Sequence, residues 1–229
     1  MARVILDDPY QGSKLWYRFS IAWRRCVRGR IFAALERGDD SIALQLATPK
    51  TLLKSVGEYG QSPLVAAIAA GRESLALEFI SRGGFYAGDG ALAHAAMRGN
   101  TAVVEALLKG GKSPDEPLRD DISNAGYTPL MWAVNRRYLP VVRQLLTAGA
   151  KVDAVAGDGS TAVMLTANAG SEGLAALDML CAYRPDIHKK DWRGRSVVRE
   201  ARDLDRNSGK PQMREILERH FPGTDFELA

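Results

Sequence analysis

The hydrophobic positions of the chain recur at fixed offsets. After Leu64, apolar residues follow at +3, +4, +11, +12, +15 and +16, and the same offsets after Leu92 and Leu130 are again apolar. The offsets 0 to +4 form one stripe at helical spacing, and those from +11 to +16 form a second. The pattern therefore predicts two short helices in every unit, each with one buried face.

A short motif precedes these units and sets their phase. Residues 60–64 (Gly-Gln-Ser-Pro-Leu) recur as Gly-Tyr-Thr-Pro-Leu at 126–130, and more weakly at 159–163 and 194–198. Together with Ile31 and Leu92, the last residue of each motif gives phase marks at 31, 64, 92, 130, 163 and 198, spaced 33, 28, 38, 33 and 35 residues. The short and long intervals compensate, which indicates a 33-residue repeat with length changes in its connections.

This pattern resembles the ankyrin repeat over about residues 30–221. The resemblance implies an all-α solenoid of five or six stacked helix-turn-helix units with hairpin-like loops. Ser62 and Thr128 are suited to cap first helices, and prolines follow them in the first turn, where no amide donor is needed. Gly83, Gly111 and Gly149 stand where a second helix ends in a left-handed residue.

Several units depart from the repeat. Gly90-Ala91 replaces Thr-Pro in the third unit, Arg137 replaces the glycine at +7 in the fourth, and Arg184-Pro185 replaces Gly-Ala after the fifth. In the fifth unit, residues 171–173 are expected to add about two residues between the helices. These differences indicate a diverged natural array, and they affect loop conformations more than the fold.

Residues 1–29 precede the array and predict a basic amphipathic helix. The side chains that define it are Trp16, Arg18, Phe19, Trp23, Arg24, Arg25 and Arg28. The favoured interpretation is a cap that covers the apolar end of the first unit. The alternative is a helix that lies on an anionic membrane surface or docks on a partner. Nucleic-acid binding is disfavoured, since no recognised motif accompanies the charge.

Two further segments lie outside the regular pattern. Residues 112–121 contain two prolines and four acids, so an exposed finger is expected there, either as a tolerated insertion or as a binding loop. A final helix is expected over 213–221, followed by a loose tail over 222–229.

Composition narrows the functional classes. Of 229 residues, 46% are hydrophobic and 25% are charged, which is typical of a folded chain, and the net charge of +4 is concentrated in the first thirty residues. The two cysteines, Cys26 and Cys181, have no paired spacing, and the longest apolar run is seven residues. The expected location is the cytoplasm.

Candidate chemistry is sparse. His94, His188 and His220 fall in different units, and residues 111–113 mimic a phosphate-binding loop but have Ala106 where its first glycine is required. Cys181 lies in an apolar helix pattern that favours core packing. We therefore expect no catalytic residue, no cofactor, no metal and no small-molecule substrate.

The resemblance implies instead a protein-binding surface on the hairpin tips and the exposed side of the first helices. The residues at those offsets are Tyr59, Gln61, Tyr86, Met97, Arg98, Asn124, Tyr127, Asn135, Arg136, Asp158, Asn168, Trp192, Arg193 and Arg195. Aromatic residues and arginine are enriched at binding hot spots. The expected function is to scaffold, inhibit or sequester a partner protein. Abundant Ala, Gly and Arg favour a bacterial source, which leaves an immunity (antitoxin-like) protein or a host-targeting effector as alternatives.

Overall fold

The computed structural model describes residues 29–54, 57, 61–118, 126–168, 170–209 and 211–226. This part of the chain contains twelve α-helices, one 3-10 helix and no β-strand. In chain order they are α1 (Gly29–Arg37), α2 (Asp40–Leu46), α3 (Pro49–Lys54), α4 (Pro63–Ala69), α5 (Glu73–Ser81), α6 (Ala91–Arg98), α7 (Thr101–Lys109), α8 (Pro129–Asn135), α9 (Leu139–Thr147), the 3-10 helix (Met164–Asn168), α10 (Gly170–Cys181), α11 (Val197–Ser208) and α12 (Gln212–His220). None of these helices is long and apolar enough to cross a membrane.

The helices stack in two columns. In the inner column, α1, α4, α6, α8, the 3-10 helix and α11 contact one another in that order. In the outer column, α2, α5, α7, α9, α10 and α12 do the same. Each unit thus adds one helix to each column, and the apolar stripes meet between neighbouring units. The fold is an all-α repeat solenoid whose core is continuous along the stack.

The phase marks are at the centre of this core. The exposed fraction of Ile31, Leu64, Leu92, Leu130, Val163 and Val198 is 1% or less in every case. Within a unit the second stripe is buried too, as Phe79 and Leu145 illustrate. Because no single unit can cover both stripes, neighbouring units supply the burial that holds each helix pair in place.

Hydroxyl side chains begin several inner helices. The Ser62 and Thr128 hydroxyls each accept a hydrogen bond at 3.3 Å, from the backbone amides of Val65 and Met131, and a proline follows each cap. Ser196 caps α11 in the same way. The fifth unit differs, since the Thr161 hydroxyl is fully buried and has no hydrogen-bond partner among the described residues.

Two arginines occupy left-handed backbone positions that glycine fills elsewhere. Arg137 has a φ of 66°, close to the 72° of Gly71 at the same offset in the second unit. Arg184, with a φ of 54°, stands at the end of an outer helix like Gly83. The repeat therefore imposes the backbone conformation even where the residue type disfavours it.

The insertion expected between the two helices of the fifth unit is wrong in its position. Residues 171–173 do not separate the two helices but lie in the first turn of α10. The outer helix takes up the extra residues, since α10 has twelve residues where α5, α7 and α9 have nine.

The expected loose tail is also wrong for residues 222–226. Phe226 is only 3% exposed and packs in the core, with the Arg214 guanidinium 5.0 Å from the centre of its ring. This apolar side chain contributes to the core at the end of the described array. Residues 227–229 and the expected capping helix over residues 1–28 lie outside the described part of the chain.

Candidate functional site

The exposed surface of the inner column is the candidate site. We call the solvent side of α4, α6, α8, the 3-10 helix and α11, together with loops 84–90, 151–160 and 184–195, the inner face. Arg98, Asn135 and Arg136 lie exposed on it at the ends of α6 and α8, and Met97 is half-buried beside Arg98. Asn168 ends the 3-10 helix. The side chains expected at +5 and +6 on α6 and α8 therefore lie on one side of neighbouring helices.

The tip of loop 184–195 presents the most exposed large apolar side chain of the described residues. The Trp192 side chain is 70% exposed, and the guanidinium carbon of Arg193 lies 4.6 Å from the centre of its ring. A cation at this distance from an indole face is held by the electrostatic field of the ring. The two exposed side chains form an amphipathic pair, which we call the Trp192–Arg193 platform.

Asp191 fixes the shape of this tip. Its buried carboxylate accepts hydrogen bonds at 2.9 Å from the backbone amides of Arg193 and Arg195 and from Nε of Arg195. Burial opposes ionisation, but the hydrogen bonds from Arg195 and Arg193 outweigh it, so the pKa of Asp191 lies below its ordinary value. The backbone amide of Trp192 also donates to the carbonyl of Asp158 on the preceding loop at 3.2 Å. The platform is therefore held rigidly before any partner arrives.

Loop 84–90 contributes Tyr86, which is 42% exposed. Its backbone amide donates to the Asp89 carboxylate, and its carbonyl accepts from Nζ of Lys112 at 2.6 Å. Partial burial, followed by the negative charge of Asp89, raises the pKa of the Tyr86 phenol. The phenol is neutral at physiological pH and available as a hydrogen-bond donor.

The segment expected to form an exposed finger is folded back onto this loop over residues 112–118. Lys112 is buried, and its Nζ contacts Asp89 at 2.5 Å and Glu116 at 3.0 Å. Glu116 also accepts hydrogen bonds from the amides of Gly88 and Gly90, and Leu118 packs against the core. The prediction of an exposed finger is wrong for residues 112–118, because buried ion pairs hold this segment against loop 84–90. Residues 119–121 are not described.

The remaining predicted residues divide between exposed, covered and undescribed positions. Tyr127 is not on the surface: it is 6% exposed and packs edge-on against Trp132, with ring centres 5.4 Å apart. Gln61 is half-buried. Asp158 is exposed, and its carboxylate accepts from the amide and hydroxyl of Ser160. Arg195 is exposed but bound to Asp191.

Other predicted residues lie outside the described part of the chain. These are Tyr59, Asn124 and the N-terminal set Trp16, Arg18, Phe19, Trp23, Arg24, Arg25 and Arg28.

Sequence reasoning missed an aspartate that links successive loops. Asp115 accepts a hydrogen bond from the amide of Lys151 at 2.7 Å, and Asp153 accepts one from the amide of Asp186 at 2.9 Å. Asp115, Asp153 and Asp186 all stand at +23 from their phase marks. This recurrence was a usable signal for contacts that join one unit to the next.

The groups considered for catalysis do not converge among the described residues. His94 lies in α6, His188 in an exposed loop, and Nε2 of His220 lies 2.8 Å from the Asp178 carboxylate. Burial, with a smaller contribution from Asp178, raises the pKa of the Cys181 thiol to about 12. The thiolate that a nucleophile needs is therefore disfavoured. Within the described ranges no three His, Cys, Asp or Glu side chains are grouped to hold a metal ion.

Comparisons with known proteins agree with this architecture. The family of ankyrin repeats matches three copies over residues 77–156. No curated protein matches the sequence. The crystal structure of the ankyrin repeat protein EF0377, from Enterococcus, is 21% identical, with a TM-score of 0.68 over 82% of this chain and 96% of that one. An ankyrin repeat domain (ABAYE2397) from Acinetobacter baumannii AYE is also 21% identical, with a TM-score of 0.70 over 83% of this chain and 96% of that one. At this identity the two structures establish the fold.

Proposed function

We propose that this chain, an ankyrin-repeat protein, binds a partner protein across its inner face and has no catalytic role of its own. Ankyrin repeats are protein-protein interaction modules. The observation that carries the proposal for this chain is the Trp192–Arg193 platform. A tryptophan left 70% exposed at a rigid tip loses the stabilisation that burial would give, whereas Trp and Arg are the residues most enriched at binding hot spots.

The remainder of the inner face extends this platform along the stack. Tyr86 lies on an earlier loop, and Arg98 and Arg136 are exposed at the ends of two inner helices. These side chains combine apolar area with several hydrogen-bond donors and come from separate units. Because helix stacking and loop hydrogen bonds already hold their backbones, little conformational entropy is lost on binding. Such a surface suits a protein that scaffolds, occludes or sequesters its target.

A finer role follows from the same rigidity. Both solved structures compared above have bacterial sources. We place this chain in a bacterial cytoplasm, where free thiols such as that of Cys181 stay reduced. There it acts as an inhibitor of the immunity type, which blocks the active surface of a partner. A host-targeting effector would use the same inner face and is distinguished by its partner.

Affinity capture from the source organism tests the proposal. The chain is compared with an inner-face variant (Tyr86→Ala, Trp192→Ala, Arg193→Ala) and with an outer-face variant (Ile42→Ala, Lys109→Ala, Arg143→Ala, in α2, α7 and α9), all checked by thermal unfolding. Ile42 is 38% exposed, which is close to the 42% of Tyr86. We expect a partner that the outer-face variant retains and the inner-face variant loses. A partner that only the outer-face variant loses contradicts the proposal.

A further inference from the structure

We infer that the partner segment bound on the inner face is acidic, an extended stretch rich in Asp and Glu that engages the Trp192–Arg193 platform. This inference rests on the proposed function and adds the chemistry of the partner. It follows from how charge is distributed between the two columns of helices.

Acidic residues are absent from the central inner helices and frequent in the outer ones. The sequences of α4, α6, α8 and the 3-10 helix contain no Asp or Glu and one cation, Arg98. Arg136 adds a second cation as the residue that ends α8. The outer helices α5, α7, α9 and α10 contain five acids and two bases. Negative charge is thus held away from the central inner helices, although all these helices belong to the same repeats.

Four cations of the inner face have no carboxylate partner among the described residues, although Lys189 and Arg195 in loop 184–195 do. Among the described residues, the charged groups of Arg98, Arg136, Lys190 and Arg193 form no ion pair. By contrast, the acids of α11 are all neutralised. Their pairs are Glu200 with Arg195, Asp203 with Arg199 and Arg202, and Asp205 with Arg214. The inner face therefore has positive potential that the protein itself leaves unsatisfied.

The loops place the strongest positive charge at the platform. Loop 84–90 contains one acid and no base, and loop 151–160 contains two acids and one base. Loop 184–195 contains five bases and two acids. Its acids are engaged inside the loop, because Asp191 binds Arg195 and Asp186 accepts from the amide of His188. On the neighbouring tip, the Asp158 carboxylate is directed to Ser160.

The stacked geometry favours carboxylates as the bound group. The Arg193 guanidinium lies over the indole of Trp192, with its carbon 4.6 Å from the ring centre, and forms no ion pair among the described residues. A carboxylate can accept two guanidinium N–H groups side by side, in a charge-assisted pairing roughly twice as strong as one between neutral groups. The adjoining indole surface can cover the methylene groups of a Glu side chain.

Titration with short peptides tests this chemistry directly. The probes are octaglutamate, octaglutamine as a neutral control and an eight-residue oligothymidylate as a polyanion without carboxylates. Binding is followed by calorimetry and by Trp fluorescence, with Trp192→Phe to identify the reporting residue. We expect octaglutamate to bind, to change the emission of Trp192, and to weaken as salt is raised. We expect octaglutamine to bind at least about tenfold more weakly.

Charge reversal locates the site. Lys190→Glu with Arg193→Glu should weaken octaglutamate binding by about tenfold or more, whereas Arg143→Glu on the outer helix α9 should change it less than about twofold. The inference is overturned if octaglutamate does not bind or if Arg143→Glu has the larger effect. It is also overturned if oligothymidylate binds more tightly than octaglutamate, which would indicate a nucleic-acid surface.

Failure of the inference and failure of the proposed function give different results. If the inner-face variant loses its captured partner but octaglutamate does not bind, the acidic chemistry is wrong and the inner face remains the binding surface. If partner capture depends instead on the outer-face residues, the proposed function itself is wrong.

Discussion

The Nζ atom of Lys112 lies 2.5 Å from Oδ1 of Asp89, and the side chains of both residues are almost completely buried. The pair joins the end of the third unit to loop 84–90. Glu116 and the carbonyl of Tyr86 complete the surroundings of the ammonium group. A cation enclosed in this way is stabilising only while every partner remains, because an uncompensated buried charge is costly.

Replacing this lysine should therefore be far more damaging than replacing an exposed one. We expect Lys112→Met to lower the free energy of unfolding by about 3 kcal/mol, since two buried carboxylates lose their cation. Lys109→Met is the control, because Lys109 also pairs with a glutamate at four residues' distance but is 74% exposed. That change should cost less than about 0.5 kcal/mol. If urea unfolding gave the same loss of free energy for both variants, burial of the ion pair would not be the cause of the loss.

Two equivalent threonines that precede inner helices, Thr128 and Thr161, allow a second comparison of stability. Thr128→Val removes the hydroxyl that accepts from the amide of Met131 and should destabilise the chain by about 1 kcal/mol. Thr161→Val is the same substitution at the equivalent position of the next unit, but the Thr161 hydroxyl has no hydrogen-bond partner among the described residues. We expect it to be neutral or stabilising, because it removes a buried unsatisfied group. The order of the two unfolding midpoints checks this, and a reversed order contradicts it.

Replacing either left-handed arginine by glycine should relieve backbone strain, but the two changes differ in the side-chain contacts that they remove. Arg137→Gly should raise the free energy of unfolding by about 1 kcal/mol, because glycine adopts a φ of 66° without strain. The change also removes the charge interaction of Arg137 with the exposed Glu172, which is weak in solvent. Arg184→Gly should gain less, since the Arg184 guanidinium donates to the carbonyl of His220 at 2.6 Å and lies over the Phe221 ring. Chemical denaturation of both variants measures the difference. A larger gain at position 184 would mean that these contacts contribute little.

The ionised carboxylate of Asp191 should make the free energy of unfolding depend on pH. Hydrogen bonds hold its folded-state pKa below the value of about 3.9 in an unfolded chain. The stabilisation it gives is therefore complete above about pH 4 and is lost as the pH falls through the folded-state pKa. Asp191→Asn should cost about 2 kcal/mol near neutral pH and less in acid.

The control for this change is Asp203→Asn, because the Asp203 side chain is 44% exposed in its ion pairs with Arg199 and Arg202, and it should have a small effect near neutral pH. Unfolding of both variants at several pH values tests the assignment. A cost of Asp191→Asn that stayed constant into acid would contradict the role of the ionised carboxylate.

The helix pairs of the repeat were predictable because the same buried apolar positions recur from unit to unit. A buried apolar side chain recurs at each phase mark, so period and offset alone placed Leu64 and Leu130 in the core. The phase did not predict the conformation at Arg137, where arginine replaces glycine, yet Arg137 adopts the left-handed backbone that Gly71 has at the same offset. The conformation is set by the helix pair around it rather than by the local sequence.

The features that sequence missed depend on contacts outside the period. Nothing in the spacing showed that Lys112 would be enclosed by acids from two loops, or that Phe226 would return to the core. Tyr127 and Trp192 are both aromatic residues in loops before an inner helix, yet only Trp192 is exposed. Trp132 packs edge-on against Tyr127, which is 6% exposed, whereas Trp192 lies beside the Arg193 side chain and stays 70% exposed. Residue type indicated the candidates, and packing decided which of them reach the surface.

Site-specific photocrosslinking tests the central claim, that the inner face is the binding surface, most directly. A benzophenone amino acid replaces Met97, Arg136 or Trp192 on the inner face, and Ile42, Lys109 or Arg143 on the outer helices. Each protein is irradiated in the presence of the captured partner. We expect covalent adducts with the partner from the inner positions and none from the outer ones. Adducts that form from the outer positions alone would contradict the account.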